Sequence, residues 1–203
     1  RPHGLEYDYL VLGLARTSTD KEMFIKKAEE SLKLHSSSRN FLLYYRTMAY
    51  INRDKYERHR LYLNAYKVYK NIDDSRGEIN LLASLALSCQ IIDKNDSANY
   101  YLTKADSIAR QALLPNSRLI HYYLIKAYVD THSGKVVEAE SIIDSTISYA
   151  KDQPALLSEV YLRKSEIESI KKDYAQANTS LLRHLKYEKA NVAAVQNNQI
   201  AFM

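Results

Sequence analysis

Small and large apolar residues recur along this chain at intervals close to forty residues. If the anchor is the residue near the start of each second helix of a pair, the anchors are Lys21, His59, Ala98, Ala139 and Ala177, at spacings of 38, 39, 41 and 38. Four residues after each anchor stand Ile25, Leu63, Leu102, Ile143 and Leu181, all apolar. Sixteen residues before stand Leu5, Leu43, Leu82, Tyr123 and Tyr161, all large and apolar or aromatic. Twelve before stand Tyr9, Thr47, Ala86, Ala127 and Ser165, of which four are small enough to let paired helices approach closely. A fixed period of this kind predicts stacked units, because one helical pair cannot bury its apolar face alone.

The breakers agree with that period. Thr19 with Glu22 and Ser75 with Glu78 match the capping box. Pro154 suits a first helical position, and Asn116 or Ser117 suits a cap after Pro115. Ser36, Ser37 and Ser38 form a polar break, and Gly134 suits a helix end that needs a left-handed residue. Helices are predicted near 4–15, 20–34, 39–52, 55–71, 76–92, 96–113, 117–132, 136–151, 154–171 and 174–190, with a last helix at 191–203 capping the stack. The expected fold class is all-α: one domain over 1–203, with hairpins near 4–34, 39–71, 76–113, 117–151 and 154–190.

Composition narrows the picture further. Apolar residues make up 46% and charged residues 26%, the balance of a soluble globular chain and not a disordered one. Only 4 Gly and 3 Pro in 203 residues argue for helices joined by short turns and against a strand-rich fold. The 18 Tyr, beside 3 Phe and no Trp, suit half-buried seams between hairpins. A single cysteine, Cys89, excludes an internal disulfide and a cysteine-rich metal site. No run of about 18 apolar residues is present, so no membrane span is expected, and no signal peptide is visible. The chain opens on Arg1 and not Met, which predicts a trimmed start, and Tyr187 to Met203 reads as a helix with no stop signal.

The residues Ala86, Ala98 and Ala105 in the third hairpin, Ala127, Gly134 and Ala139 in the fourth, and Asp173, Tyr174 and Ala177 in the fifth resemble the tetratricopeptide repeat family. The family period is about 34 residues, so these units resemble its long-helix variants, such as those in bacterial regulators and sensor proteins. The resemblance implies a right-handed α-solenoid whose first helices line a concave groove. It also implies a protein-interaction scaffold for peptides or partner helices, with no catalysis, acting as the binding or sensing part of a larger bacterial regulatory protein. In that register the groove would carry Asn80, Gln90, His121, Tyr128, His132, Glu159 and Glu166.

Candidate chemistry is sparse. Gly4, Gly13, Gly77 and Gly134 are isolated, so no phosphate loop is formed, and no zinc-protease motif occurs. No cofactor and no metal are expected. Cys89 would need a nearby histidine to serve as a nucleophile, and its helical neighbours Leu85, Ala86 and Leu87 mark it as a small buried hydrophobe. His121, Tyr128 and His132 share one helix face; His121 and His132 stand about 16 Å apart along it, too far for one metal. Charge is uneven. Residues 39–70 hold eight cations, Arg39, Arg46, Arg53, Lys55, Arg58, Arg60, Lys67 and Lys70, against Asp54 and Glu57, whereas the whole chain carries +5. Seven tyrosines interleave with them. A solvated basic face with packed tyrosines is the plainer reading. The sharper alternative is a basic patch, Arg46, Arg53, Lys55, Arg58 and Arg60, that receives an acidic partner or a nucleic acid.

Overall fold

The computed structural model describes residues 26, 44–46, 48, 49, 51–69, 74–151 and 153–201, with side chains described as far as residue 193. The elements are α1 (Lys55–Tyr69), α2 (Ser75–Ile91), α3 (Asn95–Gln111), a 3₁₀ turn (Asn116–Arg118), α4 (Ile120–His132), α5 (Val136–Tyr149), α6 (Pro154–Ile170) and α7 (Tyr174–Ala201). No strand occurs among the described residues, so the chain is all-α there. The hairpin expected near 4–34 lies outside the described residues apart from Lys26, and so does half of the helix expected at 39–52. No helix among the described residues is long and apolar enough to cross a membrane. The chain divides into two compact units, Arg1–Ile108 and Ala109–Met203.

In the first unit α2 is the central element. Ile79, Leu81, Leu82, Ala83, Leu85, Ala86, Ser88 and Cys89 are all buried, which leaves little of the helix for solvent. Helix α1 packs against it through Ala65 and Tyr69, with Tyr62, Tyr66 and Val68 beside them. Helix α3 is amphipathic and buries Ala98, Leu102 and Ala105. The start of α2 is fixed by Asp74, whose carboxylate accepts from the Gly77 amide at 2.9 Å while its carbonyl accepts from the Tyr69 hydroxyl at 2.5 Å. A side chain at Gly77 would collide with both the Tyr69 hydroxyl and the Asp74 carboxylate.

In the second unit α4 packs on α5, α5 on α6, α4 on α6, and α7 along α6. The core gathers Ile120, Leu124 and Ala127 from α4, Ala139 and Ile143 from α5, and Leu157, Val160, Tyr161 and Ile167 from α6. Pro154 opens α6 as the sequence predicts.

Three turns, after α2, α4 and α6, are built alike. Lys94 N donates to Cys89 O at 2.8 Å, Lys135 N to Asp130 O at 2.8 Å, and Asp173 N to Glu168 O at 2.9 Å. The residue before each donor is left-handed: Asp93 at φ 62, Gly134 at φ 82 and Lys172 at φ 64. Its own amide donates to Gln90 O, Thr131 O and Ser169 O in turn. These bonds satisfy carbonyls that a helix end would otherwise leave open. The helices α1, α3, α5 and α7 begin 40, 41 and 38 residues apart.

The structure moves several expected boundaries. Because α1 begins at Lys55, the residue equivalent to Ala98, Ala139 and Ala177 is Arg58 and not His59. That register aligns Ala65 with Ala105 and Thr146, all fully buried. The cap of α2 is Asp74, one residue before the expected Ser75, because the aspartate can reach the Gly77 amide. Asn116 and Ser117 lie inside the 3₁₀ turn, and α4 starts at Ile120 after Leu119 without a side-chain cap. The helix expected to stop near 190 runs unbroken to Ala201, so the separate capping helix at 191–203 is its continuation as far as it is described. No Gly or Pro between Tyr174 and Ala201 interrupts it.

Candidate functional site

In the second unit, helices α4 and α6 bring a polar and aromatic stripe together. Tyr128 stands seven residues after His121 and four before His132, so all three share one face of α4. The Tyr128 and His132 rings lie 4.0 Å apart by centroid. The His132 Nδ1 donates to the Tyr128 carbonyl at 2.8 Å. From α6, the Arg163 guanidinium lies 4.9 Å from the centre of the Tyr128 ring. Arg163 is oriented in turn by Glu166, whose carboxylate accepts at 2.6 Å. Tyr128, Arg163 and Glu166 are half-buried, and His132 is exposed.

The expected groove residues therefore fall into three groups. Tyr128, His132 and Glu166 join in one cluster through Arg163, a residue that sequence reading missed. Its signal was present: Glu159, Arg163 and Glu166 follow helical i, i+4 and i+7 spacing, which puts all three on one face. His121 and Glu159 are exposed on the same faces of α4 and α6, about two turns N-terminal to Tyr128 and Glu166. Asn80 and Gln90 belong to the first unit, both partly buried on α2. Their carbonyl oxygens are shielded from solvent and lack a hydrogen-bond partner among the described residues. Ten residues separate them on α2, so they sit about 15 Å apart along the axis and do not form a pair.

The basic patch is largely engaged in local structure. Arg58 donates through Nε and Nη2 to the Asn52 carbonyl at 3.1 and 2.7 Å, closing the turn that leads into α1. Arg60 pairs with Glu57 at 2.5 and 2.7 Å. Lys55 reaches the Ile91 carbonyl at 3.5 Å, where the C-terminal end of α2 favours a cation, and lies 5.3 Å from the centre of the Tyr56 ring. Arg46 is half-buried and Arg53 exposed. Interleaved tyrosines are used in packing as well: Tyr69 is buried, and Tyr66 meets Tyr101 edge-on at 6.3 Å.

The structure also places a histidine beside the single cysteine. Cys89 Sγ lies 3.9 Å from His59 Nδ1, whose closer partner is Ser88 Oγ at 2.9 Å. Burial pushes the Cys89 thiol up to about 11, and burial followed by the Lys94 charge holds His59 below its ordinary value. Both shifts favour the neutral forms, the opposite of a thiolate–imidazolium pair. Among the described residues no group of three or more His, Cys, Asp and Glu could hold a metal ion. Compared with known proteins, the chain matches no family model and no curated sequence.

Proposed function

We propose that the chain is a non-catalytic scaffold, a right-handed α-solenoid of the tetratricopeptide type, that binds a protein or peptide segment across the exposed face of α4 and α6. The observation that carries this reading is the Tyr128 ring in contact with His132 at 4.0 Å and Arg163 at 4.9 Å, with Glu166 bonded to the guanidinium. An immobilised aromatic ring loses little further freedom on binding, and it gives a peptide an apolar anchor. The imidazole, guanidinium and carboxylate around it offer donors and acceptors to an extended backbone and mixed side chains. The recurring helix starts, 40, 41 and 38 residues apart, support the solenoid part of the reading. By the same family resemblance the chain serves as the binding or sensing part of a larger bacterial regulatory protein.

Peptide-array or pull-down capture with the whole chain, repeated with Tyr128→Ala/Arg163→Ala, tests the assignment. Both positions are half-buried at a helix surface, so the fold is expected to survive, as circular dichroism would verify. Capture is expected to weaken at least about tenfold, the size of one aromatic or arginine hot spot. Equal capture by wild type and double variant would overturn the reading.

A further inference from the structure

The second unit carries a cleft of about 440 Å³ that shares no residue with the Tyr128–Glu166 stripe. It is lined by Ile147 and Lys151 at the end of α5 and just beyond, Pro154, Leu157 and Tyr161 on α6, and Tyr187 on α7. The local sequence explains how it forms. Pro154 starts α6 shortly after α5 ends at Tyr149, so the end of one helix and the start of the next both border the cleft. Helix α7 then closes one side. Tyr161 and Tyr187 stack across α6 and α7 with ring planes 6° apart and centroids at 5.6 Å, an offset stack that gives the cleft a flat aromatic wall. Ile147, Pro154 and Leu157 make the other walls apolar.

Among the described lining residues the charge is positive. Lys151 is its only charged lining residue, is exposed, and has no ion-pair partner among the described residues. A second cation stands next to the aromatic wall: the Arg183 guanidinium lies 5.4 Å from the centre of the Tyr161 ring and donates to its hydroxyl at 3.4 Å. Helix α6 has no acidic residue in its first turn and no side-chain cap from Gln153, so the positive end of its dipole is not countered by its own residues. The volume falls within the range of small-molecule sites, about 300–1,000 Å³.

We propose that this cleft binds a small apolar carboxylate. The aryl or branched-alkyl body lies against Tyr161, Tyr187 and Leu157, and the carboxylate meets the Lys151 ammonium. A neutral analogue of the same shape gains the apolar contacts and loses the charge-assisted hydrogen bond. An acidic macromolecular segment is less suited, because the described lining of the cleft offers one cation, Lys151, and not a track of them.

Isothermal titration of the whole chain with 4-phenylbutyrate and with its neutral amide, 4-phenylbutanamide, tests the proposal. The carboxylate is expected to bind about two- to fivefold more tightly than the amide, the ratio a partly exposed ion pair supplies. Lys151→Gln is expected to remove that preference while leaving amide binding unchanged, and its exposed position protects the fold. Ile147→Trp, from a half-buried position, is expected to fill the cleft and abolish binding of both. Tyr128→Ala/Arg163→Ala is expected to leave carboxylate binding untouched, which keeps this site separate from the peptide face. Absence of saturable carboxylate binding at millimolar concentration would overturn the proposal. Equal affinity for acid and amide, or full carboxylate preference in Lys151→Gln, would do the same.

Discussion

The two units tie their polar groups down with different partners. In the first, side chains hold the backbone: Asp74 and Tyr69 pin the start of α2, Arg58 closes the turn before α1, and Cys89 lies buried beside His59 and Ser88. In the second, cations and carboxylates pair: Arg163–Glu166 steadies Tyr128, Lys164 meets Asp144, Lys171 meets Glu140, and Lys135 meets the buried Asp130. Among the described residues, Arg58 and Lys55 of the first unit's basic stretch meet backbone carbonyls, whereas Lys135, Arg163, Lys164 and Lys171 of the second unit meet carboxylates. Counting charges along a sequence measures supply, and the hydrogen bonds decide what is left to meet a partner.

The most demanding test of that contrast is the closure of the first unit around Cys89. With the thiol pushed by burial from 9.0 up to about 11, its thiolate fraction at neutral pH falls about a hundredfold, before the reagent's restricted access is considered. Native-state labelling with a disulfide reagent is expected to be at least about a hundredfold slower than in urea, and to rise with pH beyond 9 without levelling. The sign for stability follows. The unfolded chain releases the proton first, so this thiol's contribution is intact below pH 9 and is lost as pH climbs to about 11. Rapid native labelling at neutral pH would show the unit to be open.

Next in size is Gly77→Ala. The added methyl meets the Tyr69 hydroxyl and the Asp74 carboxylate together, so relief at one costs the other. A loss of about 2 kcal/mol, or roughly thirtyfold in the unfolding equilibrium, is expected from crowding of this kind. Urea titration with hydrogen exchange is expected to place the loss in α1 and α2. A loss confined to α4–α7 would break the division between the units.

The smallest expected effect is a gain in the second unit. Lys172 holds φ 64, a conformation that costs a side-chain-bearing residue about 1–2 kcal/mol and glycine little. Lys172→Gly is expected to stabilise by about 0.5 kcal/mol after the added freedom of the unfolded glycine is set against that relief. Thermal melts that show no rise would mean that the lysine's own contacts compensate for the strain.

Much of the helical frame was legible because apolar periodicity and small residues act locally. Ala98, Ala139 and Ala177 are buried where the forty-residue period puts them, and Gly134 is left-handed where its turn requires it. Asp93 and Lys172 fill the same role without advertising it, since neither residue type demands φ above zero. Arg58 was misread by one position because a cation offers no small-residue signal at a helix start. At the candidate site, the face shared by Tyr128 and His132 followed from spacing within one helix. The part played by Arg163 depends on how α6 packs on α4, which no single-helix period contains. The engagement of Arg58 with a backbone carbonyl was hidden for the same reason, because a carbonyl is present at every residue and carries no letter of its own.

The three like turns have a consequence for what the chain encodes. One position is occupied by aspartate, glycine and lysine in a single molecule, yet the same amide-to-carbonyl bonds close all three turns. Those bonds are made by groups that every residue but proline carries. In information terms the turn is specified by distance along the chain more than by spelling. Letters there can drift widely while the metre of the hairpins stays in time, provided that no residue is inserted or dropped between the end of one helix and the start of the next.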